Sequence, residues 1–391
     1  MRNLCTEACY ASLIKKNEEL CGDRVQIVRD DDSTLLVLAD GLGSGVKANI
    51  LATLTSKIIS TMISEGASVE DTVDTIAHTL PVCRERKIAY STFMILRVSD
   101  DGDAYLVEYD NPPCICFRDG APLRIDYTEK TIGGKPIRES LFKARPGDYF
   151  IIVSDGVTQA GMGETLSFGW GWESVASFAS GLCAGKLPAP RIISRILDTG
   201  RDLYLGKPGD DTTVSILHVL PRQDVAFYSG PPKSREDDAQ VVSDFMAQSG
   251  LHVVSGGTSS EIVARELGRE LKVSISYDGT DVPPTASIEG IDLVTEGVMT
   301  LKSVLELLDA YIAEPASREV SAMLDGKNGA ASLARILIER CTDLHLFIGK
   351  AVNPAHQDND FPVELRLKFR LLDDIGDRMI AMGRNVTRRY Y

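Results

Sequence analysis

The stretch LLVLADGLGSGVKAN, residues 35–49, sets an acidic residue at the mouth of a glycine-rich turn. Leu35 to Ala39 form an unbroken apolar run and read as a buried strand. Gly41, Gly43 and Gly45 then alternate through a tight loop. Val46, Ile50, Leu54, Ile58 and Met62 follow at a spacing of four, which predicts a helix with one apolar stripe against the core, closed by Gly66. Glycine-rich loops between strand and helix usually cradle phosphate, yet Asp40 would repel one. A dinucleotide fingerprint fails because Gly41-x-Gly43-x-x-Val46 lacks the third Gly or Ala. The GxxxxGK[ST] order of a P-loop is absent.

Asp40 has companions in similar settings. Gly22-Asp23 precedes it, VSDGVTQ places Asp155 at the end of a strong apolar strand, and GKPGDDTTV places Asp210 and Asp211 at the start of another. Taken singly, each Asp reads as a turn or helix-cap residue. Taken together, they gather carboxylates that would repel one another and be costly to desolvate. A bound divalent cation removes that cost, and all-oxygen ligation without His or Cys favours Mg²⁺ or Mn²⁺ over zinc. On this reading Asp40 holds the metal, and the metal holds the phosphate.

Around these residues, segments 33–39, 91–98, 104–110, 114–126, 148–154 and 212–219 read as short strands bounded by Gly, Pro or Asp. Asp119-Gly120 signals a hairpin, and hairpin links between neighbouring strands predict antiparallel sheets covered by helices. Ser68 with Asp71 resembles a capping box, and a further helix is expected from about Pro190 to Tyr204. Past LPRQD (220–224) the pattern becomes strand-helix-strand-helix, the mark of a parallel sheet. The predicted boundary therefore lies near 220, giving domains 1–220 and 221–391. Helices are expected at about 300–313 and 329–340, and the alternation of Val363, Leu365, Leu367 and Phe369 reads as a half-exposed strand. The chain is predicted to be α/β overall.

With 391 residues, the chain has ample length for two cores, and its net charge of −14 argues against nucleic acid or an anionic membrane as partner. No signal pattern or long apolar run is visible, so a soluble, cytoplasmic protein is expected. The eight cysteines are scattered without zinc spacing. Cys114 and Cys116 share one strand face, either as small core residues or as a reactive pair.

The motifs GD (22–23), LADGLGSG (38–45), ST (91–92), GDYFIIVSDGVTQA (147–160) and GDDTTVSIL (209–217) resemble the metal-dependent serine/threonine protein phosphatases. The match is to the bacterial branch of stage II sporulation protein E and the stressosome phosphatases, over roughly residues 1–220. This resemblance implies an αββα sandwich of two antiparallel sheets flanked by helices, with a site for two Mn²⁺ or Mg²⁺ ions at one end. By position it implies that Asp40 bridges the metals, the Gly41 carbonyl binds one, Asp155 and Asp210 complete the other, and Asp23 holds a metal or its water. Asp211 would support that shell. The implied chemistry is attack of a metal-activated water on a phosphoserine or phosphothreonine ester. An implied substrate is a phosphorylated protein, such as an anti-sigma-factor antagonist-like domain, in bacterial signalling. Leu42 stands where eukaryotic members often carry a His, no Arg matches their phosphate-gripping residue, and Lys47 reads as solvated or as a helper.

Trp170 and Trp172, in the glycine-rich run after Asp155, fit either a mobile substrate-docking element or an ordinary packed loop. In the second domain, expected to be Rossmann-like with a mixed sheet, Gly256, Gly257, Thr258 and Ser259 start a helix. They suit either a small anionic ligand or plain capping, and Lys233 could face the same crevice. His356, Asp358 and Asp360 share a loop that reads as surface or as a metal site. Two rival functions remain: a non-catalytic scaffold or sensor built on the phosphatase fold, and a hydrolase of a small phosphorylated metabolite.

Overall fold

The structure is a computed structural model. It describes residues 4–30, 32–79, 91–132, 135–273, 286–350 and 363–391, except the side chains of 77, 78 and 363–367. Cys83, His356, Asp358 and Asp360 lie outside the described residues. The chain forms two compact units, Met1–Pro221 and Arg222–Tyr391. Together they make a mixed α/β protein with antiparallel sheets in the first unit and a mixed sheet in the second.

The first unit runs β1 (Cys5–Leu13), β2 (Asp23–Arg29), β3 (Ser33–Gly41), α1 (Gly45–Ser64), α2 (Val69–Thr79), β4 (Ser91–Ser99), β5 (Asp103–Tyr109) and β6 (Ile115–Arg118). It continues through β7 (Ala121–Pro122), β8 (Thr128–Ile132), β9 (Lys135–Lys143), β10 (Asp148–Val153), α3 (Asp155–Thr158), α4 (Trp172–Ala184), α5 (Ala189–Leu203) and β11 (Thr212–Leu220). One sheet has the order β2-β3-β4-β5-β9-β8, the other β1-β11-β10-β6-β7. Every pairing in both is antiparallel. The hairpin at Asp119-Gly120 has both residues at positive φ, 51° and 78°, as a tight primed turn requires.

The run Leu35–Ala39 is apolar throughout because β3 is covered on both faces. Leu36 and Leu38 join Met94, Leu96, Phe150, Ile152 and Leu217 in a core shared by the two sheets. Leu35, Val37 and Ala39 face α1 and α2 with Ile59, Ile63 and Val73. The period of two distributes one strand between two cores.

Helix α1 forms where expected but turns the other way. Val46, Ile50 and Leu54 are exposed, and the buried face is Ala48, Ala52, Thr55, Ser56, Ile59, Ser60 and Ile63. Close approach to β2 and β3 selects small side chains, so the bulky stripe is left outside. Helix α2 is capped as its sequence suggests. The Asp71 N–H donates to Ser68 Oγ (3.0 Å), while the Ser68 hydroxyl donates to the Asp71 carboxylate (2.7 Å).

The second unit contains β12 (Asp224–Ser229), α6 (Asp238–Met246), β13 (Leu251–Ser255), α7 (Gly257–Leu267), β14 (Lys272–Val273), β15 (Ala286–Ser287) and β16 (Leu293–Thr295). Then come α8 (Val298–Ala313), α9 (Arg318–Leu324), α10 (Gly329–Arg335), β17 (Asp343–Ile348), α11 (Val363–Ala381) and β18 (Asn385–Tyr390). The sheet order is β14-β15-β16-β13-β12-β17-β18, parallel from β16 to β18 with an antiparallel edge. Helices α6 and α7 cover one face and α8, α10 and α11 the other. Residues 363–369 therefore start a helix and not a strand. Beyond Phe369 the buried Leu372, Ile375 and Met379 continue at spacings of three and four, so the helical period prevails over a brief alternation. Among the described residues no helix is long and apolar enough to cross a membrane.

Candidate metal centre

Asp23 opens β2 and Asp40 lies next to the end of β3, and the two are direct partners in the antiparallel ladder. Registered partners present their side chains on one face, so the carboxylates stand side by side. In the other sheet, Ser154 N donates to Thr213 O (3.0 Å), which brings the end of β10, and with it Asp155, beside Asp210 and Asp211 at the start of β11. Asp211 ties the two sheet ends together: its oxygens accept from the backbone N–H groups of Lys15 (3.0 Å) and Gly22 (2.8 Å). This is a scaffold role, and it leaves little of Asp211 for a ligand.

The electrostatics record the crowding. Burial, then repulsion from Asp23, Asp155, Asp210 and Asp211, pushes the Asp40 carboxyl well above the ordinary range. Asp23 is raised chiefly by burial, with Asp211 and Asp155 adding to it. Asp155 is raised by burial and by Asp210, against hydrogen bonds that include one from Gln159 Nε2 (2.8 Å). Asp23 is 5% exposed, and its Oδ2 has no hydrogen-bond partner among the described residues. An unpaired buried carboxylate oxygen costs on the order of 1–3 kcal/mol or more.

Among the described residues no three His, Cys, Asp or Glu side chains converge tightly enough to enclose an ion as they stand. The donor chemistry nevertheless fits a divalent cation. The donors are oxygens, one is orphaned, and burial together with mutual repulsion raises the carboxyls of Asp23, Asp40 and Asp155, a cost that a cation would relieve. Gly41 adds a backbone carbonyl beside Asp40. It sits so close to α1 that a Cβ there would lie 2.8 Å from the Ala48 Cα. Ser91 Oγ donates to the Asp40 carbonyl (2.8 Å) and fixes the strand end.

Two charged residues enter that sequence reasoning missed. Lys15 Nζ reaches Asp210 Oδ1 (3.3 Å), and the Ser44 hydroxyl donates to Glu18 Oε1 (2.8 Å) at the start of α1. Glu18 thus places an anion at the helix N-terminus that the glycine loop alone would have offered to a phosphate. Neither residue carries a motif; both lie in the irregular segment between β1 and β2. Lys47 is exposed on α1. After Asp155, the Trp172 indole N–H donates to the Pro113 carbonyl (2.7 Å), and Trp170 meets Phe178 edge-on. Phe168, two residues before Trp170, is 90% exposed. Cys114 and Cys116 are buried neighbours, their sulfurs 3.6 Å apart, and burial first of all raises the Cys114 thiol pKa.

The profile of the stage II sporulation protein E (SpoIIE) family matches residues 30–220. Residues 30–220 form a SpoIIE-family domain. Similar solved structures include the PP2C phosphatase domain of SpoIIE from Bacillus subtilis with a fragment of its regulatory domain. That match has 16% identity and a TM-score of 0.47, covering 56% of this chain and 65% of that one, just under two thirds of its length. The RsbU and RsbW domains of Rv1364c from Mycobacterium tuberculosis match at 16% identity and TM-score 0.43, over 63% and 70% of the two chains. The serine/threonine phosphatase PstP/Ppp of the same organism matches at 14% and 0.38, over 56% and 100%. No curated protein matches the chain. The SpoIIE-family match ends at 220, at the edge of the first unit.

Proposed function

We propose that the SpoIIE-family domain is a Mn²⁺- or Mg²⁺-dependent phosphoserine/phosphothreonine protein phosphatase acting in bacterial signalling. Residues 1–220 would be its αββα sandwich, and 221–391 a Rossmann-like domain in a regulatory, ligand-binding role. The observation that carries this reading is the cross-strand pair of buried Asp23 and half-buried Asp40, one Asp23 oxygen having no partner among the described residues, set close enough to Asp155 and Asp210 to repel them.

In this account Asp23, Asp40, the Gly41 carbonyl, Asp155 and Asp210 hold two cations. Bound there, the cations supply an activated water and neutralise charge on the phosphoryl oxygens. Asp211 keeps the two sheet ends in register through Lys15 and Gly22. Gln159 orients Asp155, and Ser91 fixes the backbone beneath Asp40. Lys15 neutralises Asp210. Leu42 offers no proton, so the leaving serine or threonine oxygen takes its proton from solvent or from a side chain outside the Asp-Gly loop.

The substrate class is a phosphorylated protein, for which an anti-sigma-factor antagonist-like domain is the chemistry to try. Phosphate release by the full chain with Mn²⁺ should be compared on phosphoserine, phosphothreonine and phosphotyrosine peptides and on small phosphate esters. Preference for the first two supports the proposal. Faster turnover of small metabolite esters, or no release from any substrate, overturns it.

A further inference from the structure

At the carboxyl edge of the second unit's sheet two helices begin side by side, α7 after β13 and α8 after β16. Their caps are Gly256 and Gly297, and a Cβ on Gly297 would lie 3.8 Å from the Gly256 Cα. Neither helix start has a side-chain cap. Their first N–H groups therefore lack the side-chain acceptor that most helix ends find, and both positive dipole ends point to one place.

Helix starts alone would not make a site, but two side chains add to them. Lys368 reaches over from α11. A Cβ on Gly256 would meet its Nζ at 3.0 Å and Ser259 Oγ at 3.7 Å, with nothing else among the described residues within 4 Å. Burial lowers the Lys368 pKa to about 8, and among the described residues no carboxylate pairs with it to hold the charge. Thr300 stands in the first turn of α8, is 1% exposed, and its hydroxyl has no partner among the described residues. Helical side chains lean toward the helix N-terminus, which sets this hydroxyl toward the start of α8. Among the described residues a Cβ on Gly257 would touch nothing within 4 Å.

We propose that this edge binds the phosphate group of a small phosphorylated ligand. Two uncapped helix starts, an ammonium and a hydroxyl match the three acceptor oxygens of a phosphate better than the two of a carboxylate. The location agrees with the chain path. Neighbouring strands β13 and β16 send α7 and α8 to opposite faces of the sheet, and open α/β sheets take ligands in the crevice that such divergence leaves at the carboxyl ends of the strands.

The test is calorimetric titration of the full chain with inorganic phosphate in EDTA, where the first unit's carboxylates repel the probe. Saturable binding that weakens about tenfold in Lys368→Met, ~1.4 kcal/mol, and measurably in the isosteric Thr300→Val supports the site. Asp40→Asn should leave it unchanged, which separates this inference from the phosphatase reading. Thermal melts must show that both unit-two variants fold, and Lys368→Met is expected to, because it removes a desolvated charge. No saturable binding by the wild type across the millimolar range, or equal binding by both folded variants, overturns the proposal. If AMP binds more tightly than phosphate and shows the same loss in Lys368→Met, the ligand is a nucleotide. Equal affinities point to phosphate or a phosphorylated compound without a base.

Discussion

Gly41→Ala should damage both the fold and the metal centre, and the geometry sets how much. A Cβ at this position would lie 2.7 Å from the Ala48 carbonyl carbon and 2.8 Å from its Cα, and closer still to the carbonyl oxygen. Carbon atoms pack at roughly 3.5–4.0 Å, so α1 or β3 must retreat by about 1 Å, and the obstacle is backbone that cannot rotate away. Overpacking of this kind costs about 1–3 kcal/mol, and a rigid obstacle argues for the upper end. For a domain of this size ~3 kcal/mol lowers Tm by roughly 6–12 °C. The same displacement moves Asp40 and the Gly41 carbonyl, and a 1 Å error in a catalytic constellation costs on the order of 100-fold in rate. Gly43→Ala is the control. Its Cβ would meet nothing within 4 Å, but its φ of +103° is strained for any L side chain, so a loss of about 1 kcal/mol is expected. Differential scanning calorimetry and Mn²⁺ titration of both variants decide the matter. A Gly41→Ala protein that melts and binds Mn²⁺ like wild type would refute the packing argument.

Removal of the buried ammonium makes a second prediction. The folded pKa of Lys368 is depressed from 10.5 to about 8, so the charged form is penalised fully below pH 8 and the penalty fades as pH rises from 8 to 10.5. At 1.36 kcal/mol per pH unit this is at most about 3.4 kcal/mol. Wild-type stability of the second unit should therefore rise over that window, measured by urea unfolding, while Lys368→Met starts higher and shows a flatter profile. In the first unit the sign is opposite. Asp23, Asp40 and Asp155 have folded pKa values raised above the unfolded 3.8, so without metal, stability is greatest near pH 4 and falls as pH rises through neutrality. Asp40→Asn should raise the EDTA-treated protein's stability at pH 7 by at least ~1.4 kcal/mol, read by thermal melt. Equal melting of variant and wild type in EDTA would mean that the carboxylates do not repel.

Much of the first unit was legible because its signals are local. Four carboxylates at strand ends, each beside a glycine, carry their chemistry in short motifs, with Asp211 following the fourth, and Asp119-Gly120 names its own turn. The α1 stripe misled because periodicity reports that one face differs from the other without saying which face is buried. There the close approach of Ala48 to Gly41 decided, and it is a property of packing distance. Lys15 and Glu18 were invisible for another reason. They act across the gap between β1 and β2, and nothing in their neighbourhood repeats or caps. In the second unit, the glycines at 256–257 announced a helix start, but α8's start and Lys368 come from segments 40 and 110 or so residues later, joined only by the sheet order. The alternation at 363–369 is a short coincidence that the longer helical period of α11 overrides.

The most direct test of the metal-phosphatase account is p-nitrophenyl phosphate turnover by the full chain as Mn²⁺ is titrated, with calorimetry of Mn²⁺ binding alongside, for wild type and Asp40→Asn. The account predicts saturable Mn²⁺ binding, turnover that requires it, and loss of both in the variant. Turnover that survives in EDTA or in Asp40→Asn, or a wild type that neither binds Mn²⁺ nor turns over, would contradict it.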